Sequence, residues 1–163
     1  MSGVAECVIL IGLPASGKST FYRERFAATH DHVGKDVMRH NRRPQRRQEQ
    51  VVAAALGEGR SVVVDNTNPA VAIRAPLIAL AHANGADVVG YFFRTDAADA
   101  LRRNRAREGR QRVPDVAIFA ARKELEPPTY EEGFDRLFEV TLDEASRAFD
   151  VEPIRDARAD AAS

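Results

Sequence analysis

Residues 12–19 read Gly-Leu-Pro-Ala-Ser-Gly-Lys-Ser and satisfy the pattern G-x-x-x-x-G-K-[ST] in full. They follow an apolar run at 7–13 and open a helical pattern from Lys18 to about Ala28. The physics of the motif requires that context. A strand delivers the loop, and glycines at 12 and 17 let the backbone curl so that its N–H groups point inward around a phosphate. The helix N-terminus adds partial positive charge. The motif therefore implies a nucleoside triphosphate held by Gly12, Ala15, Ser16, Gly17, Lys18, Ser19 and Thr20. Lys18 is expected to reach the β/γ-phosphates and the Ser19 hydroxyl to ligate Mg²⁺.

The rest of the chain supplies the architecture this loop needs. Strands are predicted at 7–13, 32–34, 61–65, 87–93 and 136–142. Helices are predicted over about 45–58, 70–84, 96–107 and from Pro114 to before Pro127. Strands alternating with helices point to parallel βαβ units in an α/β sandwich. The chain of 163 residues reads as one domain over 1–163, with a lid at about 103–114 and a charged C-terminal tail, helical or fraying, at about 143–163. No apolar run approaches the ~20 residues of a transmembrane helix, and no leader pattern is visible, so a cytoplasmic protein without a membrane partner is expected. The single cysteine, Cys7, lies in the first apolar run, so a disulfide framework is excluded and a buried hydrophobe is expected. A monomer or weak dimer is expected.

The net charge of zero conceals a split: residues 1–123 hold 20 basic and 12 acidic side chains, and residues 124–163 hold 4 and 12. Arg39, Arg42, Arg43, Arg46 and Arg47 form one acid-free run; Arg102, Arg103, Arg105, Arg107, Arg110 and Arg112 form a second, interrupted only by Glu108. Charge runs are usually solvated faces, but two in one small domain point to an anionic ligand.

The motif names the ligand class, not its use. No asparagine is followed by lysine, so the N-K-x-D base-reading motif of GTPases is absent. Hydrolytic motors usually end the second apolar strand in Asp-Glu; here it ends in Asp65-Asn66, which keeps a Mg²⁺ partner and lacks a base for water. That pattern favours transfer to an acceptor other than water. Asp36 is a candidate to accept the proton of an acceptor hydroxyl, and equally a helix N-cap. Arg39, three residues on, is a candidate ligand for an acceptor phosphate. Arg103 and Arg107, spaced i,i+4, are candidates to close over the γ-phosphate. Tyr130 and Phe134 either approach the base or pack.

Taken together, GLPASGKST at 12–20, KDVMR at 35–39, VVVDNTNP at 62–69, RRNRAREG at 102–109, VPD at 113–115 and EPPTYEEGF at 126–134 resemble the polynucleotide 5′-hydroxyl kinase family. The resemblance covers roughly residues 7–142. It implies an adenylate-kinase-like P-loop sandwich with a parallel sheet ordered 2-3-1-4-5, ATP and Mg²⁺ at Lys18 and Ser19, and an essential Asp65. It also implies a general base at Asp36, an acceptor-phosphate ligand at Arg39 and lid arginines at Arg103 and Arg107. The implied acceptor is a 5′-hydroxyl end of DNA or RNA. A kinase of a small hydroxylated metabolite or antibiotic, and a non-catalytic or hydrolytic nucleotide switch, are the alternatives.

Overall fold

The computed structural model describes residues 3–35 and 42–158. Six strands form one sheet: β1 (Glu6–Ile11), β2 (His30–Val33), β3 (Ser61–Asp65), β4 (Asp87–Phe93), β5 (Arg136–Leu142) and β6 (Phe149–Pro153). Their spatial order is β2-β3-β1-β4-β5-β6, with the first five parallel and β6 antiparallel to β5. The parallel order 2-3-1-4-5 is as expected.

β1 lies at the centre, and its five residues after Glu6 are buried. That is why it reads as an unbroken apolar run: a parallel strand covered on both faces has no solvent side. Its alternate side chains feed opposite layers. Cys7, Ile9 and Ile11 pack with Val52, Leu56, Leu77 and Ile78 from helices α2 (Pro44–Gly57) and α3 (Val71–Ala83). Val8 and Leu10 pack with Phe21 of helix α1 (Lys18–Arg25) on the other face. Helices α4 (Ala97–Arg105) and α5 (Asp115–Glu124) pack on each other, with Leu13 against Ala100 and Ile118. Asp96 caps α4 by accepting the Asp99 N–H at 2.8 Å. Burial pushes the Cys7 thiol up to about 12, the behaviour of an inert core residue. Among the described residues no helix is long and apolar enough to cross a membrane.

The C-terminal segment departs from expectation. Residues 149–153 form an edge strand, not part of a helix or fraying tail. Phe-Asp-Val-Glu alternates with period two, and Phe149 and Val151 point to the core cluster around Phe21. Phe149 stands edge-on to Phe21, with centroids 5.2 Å apart. The surrounding acidic and Ala-rich composition hides this short alternation. Tyr130 and Phe134 pack: Phe134 is buried beside Gly90, and the Tyr130 hydroxyl donates to the Ile154 carbonyl at 2.8 Å.

A charged pair lies at the heart of the α3 layer. Arg74 is fully buried and donates from Nε and Nη2 to the two Glu132 oxygens at 2.8 and 3.0 Å. Its Nη1 donates to the carbonyls of Asn68 and Pro69. Removing one member of a buried pair leaves an uncompensated charge, at about 3–5 kcal/mol. Arg74→Met should therefore lower the urea-unfolding free energy by about that amount, and Arg74→Met/Glu132→Leu should recover part of it. The recovery should be incomplete, because the Asn68 carbonyl loses the Arg74 donor and the Pro69 carbonyl keeps only the Glu126 N–H.

Candidate active site

The carboxyl ends of β1 and β3 meet the N-terminus of α1 around a cleft of about 730 Å³. Lys18, Ser19, Thr20, Arg23, Lys35, Asp65 and Arg107 contribute to its walls. The loop between β1 and α1 holds a shape few sequences allow. Ala15 and Gly17 both have positive φ, 64° and 98°, which alternates the direction of successive peptide groups and turns N–H groups inward. At Gly12, a Cβ would stand 2.8 Å from Phe93 Cβ, so only glycine lets the loop lie this close to the end of β4. The Gly12 N–H donates to the Thr67 carbonyl at 3.0 Å, tying the loop to the segment after β3.

Lys18 is folded onto that loop. Its ammonium donates to the Gly12 and Leu13 carbonyls at 3.0 and 2.6 Å and to Ser16 Oγ at 3.2 Å. Ser19 Oγ donates to Asp65 Oδ2 at 2.8 Å, and His32 Nε2 lies 2.8 Å from the same oxygen. The His32 ring is stacked on Tyr22 at 4.3 Å. Burial alone would raise the Asp65 carboxyl, but the hydrogen bonds from His32 and Ser19, aided by the Lys18 charge, hold it below the ordinary carboxylate range. Two hard oxygens, one hydroxyl and one ionised, lie together at the loop's mouth. That donor set fits Mg²⁺, which usually takes one or two protein oxygens and completes its shell with water and phosphate.

Asn66 is committed elsewhere. Its Oδ1 accepts the Lys35 N–H at 2.8 Å, and its Nδ2 donates to Oε1 of the buried Gln48 on α2 at 2.7 Å. The side chain beside Asp65 thus ties the end of β3 to the stretch leaving β2 and to α2. Asn68 donates to the Leu10 and Val64 carbonyls, clamping the ends of β1 and β3.

Both lid arginines line one pocket, and Arg107 also reaches the main cleft. α4 ends at Arg105, two residues short of the expected stop, and Asn104 grips the returning loop through Val113: Nδ2 donates to its carbonyl at 2.7 Å and Oδ1 accepts its N–H at 3.0 Å. Arg107 lines the main cleft and is half-buried. Burial draws its guanidinium below the ordinary arginine value, against the pull of Asp65. Arg103 lines an adjoining pocket of about 650 Å³ with Gly17, Thr20, Glu144 and Phe149, and donates to Glu144 and weakly to the Ala15 carbonyl. Asp36 and Arg39 lie outside the described residues; Lys35, which precedes them, is anchored by Asn66 at the cleft wall. His32, Gln48 and Glu144 were not singled out by sequence reasoning. Two sit in polar stretches without periodic signature, and His32 sits in a four-residue strand.

The model of a family described as an AAA domain matches residues 7–128. A putative bifunctional polynucleotide phosphatase/kinase of Acanthamoeba polyphaga mimivirus is 33% identical over 144 residues, covering 84% of this chain and 33% of its own. The chain spans about a third of the length of the curated relatives it matches. A structure of the Pnkp1/Rnl/Hen1 RNA repair complex aligns with a TM-score of 0.64 at 25% identity, covering 77% of this chain and 45% of that one. A gluconokinase from Sinorhizobium meliloti 1021 aligns with a TM-score of 0.61 at 18% identity, over 87% and 86% of the two chains, and so shares the fold.

Because folding depresses the Asp65 pKa, its ionisation stabilises the folded state above the unfolded carboxylate pKa of about 3.9. That contribution is lost as pH falls through the lower folded value. The difference in urea-unfolding free energy between wild type and Asp65→Asn should be flat above about pH 5 and shrink toward more acid pH. A difference constant throughout the acid range would contradict an ionised Asp65. By its family match the chain belongs to the AAA domain family of P-loop proteins, and polynucleotide phosphatase/kinases are among the proteins it is similar to.

Proposed function

We propose that the protein is an ATP-dependent kinase transferring the γ-phosphate to the 5′-hydroxyl end of a nucleic acid. The observation that carries the reading is the engagement of Asn66. The position after Asp65 holds no base for water, and its side chain is spent on fixing Lys35 and α2. Lys35 is thereby held at the cleft wall, and in this reading Asp36, the next residue in sequence, serves the acceptor. Similarity to a putative polynucleotide phosphatase/kinase over 84% of the chain supports a nucleic-acid acceptor.

In this reading the loop N–H groups and Lys18 bind the triphosphate, and Ser19 and Asp65 hold Mg²⁺. Held there, Mg²⁺ would supply charge screening at the phosphates. Asp36 takes the proton of the attacking hydroxyl, and Arg39 grips the phosphate 3′ of the accepting nucleoside. Arg107 neutralises charge that develops on the transferring group, which is electrostatic stabilisation and not ground-state binding.

Transfer from γ-labelled ATP to an acceptor panel tests this. A 5′-hydroxyl oligonucleotide and a nucleoside 3′-monophosphate should be labelled, and a bare nucleoside should be a poor acceptor. Lys18→Ala should abolish labelling. Asp36→Asn should cut kcat by orders of magnitude with ATP affinity nearly intact. Arg39→Ala should raise the oligonucleotide KM by roughly 30–150-fold, the value of a bidentate phosphate contact of about 2–3 kcal/mol. Arg107→Ala should lower kcat and leave the acceptor KM little changed. Preferential labelling of a small polyhydroxy acid, with nucleosides and 3′-monophosphates equally poor, would replace this reading with a metabolite kinase.

A further inference from the structure

The first arginine run differs from the helical part of the second. Arg102, Arg103 and Arg105 are ion-paired with Asp99, Glu144 and Asp115. Among the described residues Arg42, Arg43, Arg46 and Arg47 make no ion pair. All four are exposed and, with Gln50, they line a depression of about 610 Å³. Positions 43, 46, 47 and 50 are spaced i, i+3, i+4, i+7, so they share one face of α2.

This arrangement is locally unfavourable in two ways. The cations repel one another along the helix, and they occupy the N-terminal end, where the helix dipole favours negative charge. The first turn of α2 holds no acid to offset them. Consistency between local preference and fold tends to fail at functional positions, and a polyanion would relieve both conflicts at once.

The site of the patch is set by packing. α2 runs back from the carboxyl end of β2 to the start of β3, so its N-terminus lies on the same edge of the sheet as the phosphate-binding loop. Gln48 points inward to Asn66, the neighbour of Asp65, which fixes the rotation of the helix and turns 43, 46 and 47 outward. Arg43 and Arg47 are about 6 Å apart along the axis, and two guanidinium forks at that spacing suit successive phosphates better than isolated carboxylates.

We infer that this face of α2 binds the sugar–phosphate backbone of a single nucleic-acid strand, on nucleotides beyond the accepting end. The inference rests on the nucleic-acid reading of the cleft and extends it to a second contact, which makes the protein favour oligonucleotides over mononucleotides. Phosphates carry the affinity and give no base preference.

The test is binding of a fluorescein-labelled 12-nucleotide single strand, followed by anisotropy without ATP, for wild type and Arg43→Gln/Arg46→Gln/Arg47→Gln. The triple variant should bind at least ~10-fold more weakly at roughly 0.1 M salt, and its log Kd against log salt slope should fall by about 2, as ~0.7 per lost contact requires. Unchanged ATP affinity and unchanged melting temperature are the folding controls. In transfer assays the variant's kcat/KM should drop for the 12-mer and not for a nucleoside 3′-monophosphate. An unaltered Kd and slope, or competition by poly-glutamate as effective as by unlabelled strand, would overturn the inference. If wild type binds the strand through these arginines yet phosphorylates no 5′-hydroxyl acceptor, the kinase reading falls and the surface stands. If it phosphorylates both acceptors and the variant is unchanged on both, the surface falls and the kinase reading stands.

Discussion

One carboxylate oxygen organises the site. Asp65 Oδ2 accepts from Ser19 and meets His32, so the start of α1, the second strand and the end of β3 converge on a single atom. A buried acid tolerates its loss of hydration only when its lone pairs are filled. Here the groups that fill them belong to the elements that shape the phosphate loop. Holding the acid ionised and aligning α1 with the sheet are therefore the same act. The position of Lys18 follows, because it opens the helix that Ser19 anchors.

A second tier of polar contacts lies behind this. Arg74 and Glu132 form a buried pair whose remaining donor capacity goes to the Asn68 and Pro69 carbonyls, and Glu126 donates its N–H to Pro69 as well. The turn after β3 is thus held from beneath by α3 and by the segment before β5. Asn68 completes it by binding backbone of both β1 and β3 while its Oδ1 has no protein partner among the described residues. A buried ion pair is seldom the most stable filling for a core, but it fixes one arrangement against others. Through its hydrogen bonds to Glu132, Asn68 and Pro69, Arg74 ties the turn under the cleft to α3.

The parts legible in the sequence were those written in local pattern. The loop motif and the apolar strands depend on neighbours within a few residues, whereas the order of the strands in the sheet came only with the resemblance. The parts not legible were contacts between residues far apart. Gln48 is one glutamine in a polar helix until Asn66 reaches it, and Glu132 is one acid among several until Arg74 selects it. The EPPTYEEGF segment was visible as a resemblance, but its physical reason is the buried Arg74 partner. β6 was missed because two apolar residues in an acidic tail give too short a period to stand out. Its strand character comes from pairing with β5 and from the aromatic cluster awaiting Phe149.

That cluster has a consequence for how the domain assembles. A Cβ at Gly17 would lie 3.1 Å from the Phe149 ring, so the last strand forms part of the mould in which the first loop is cast. The two are separated by nearly the whole chain, and contacts of such long sequence separation carry the largest loop-closure cost and form late. During synthesis, the segment carrying Lys18 and Ser19 leaves the ribosome early yet lacks one wall until β6 docks. The wall of the first loop is in this way completed only when the last strand has paired with β5.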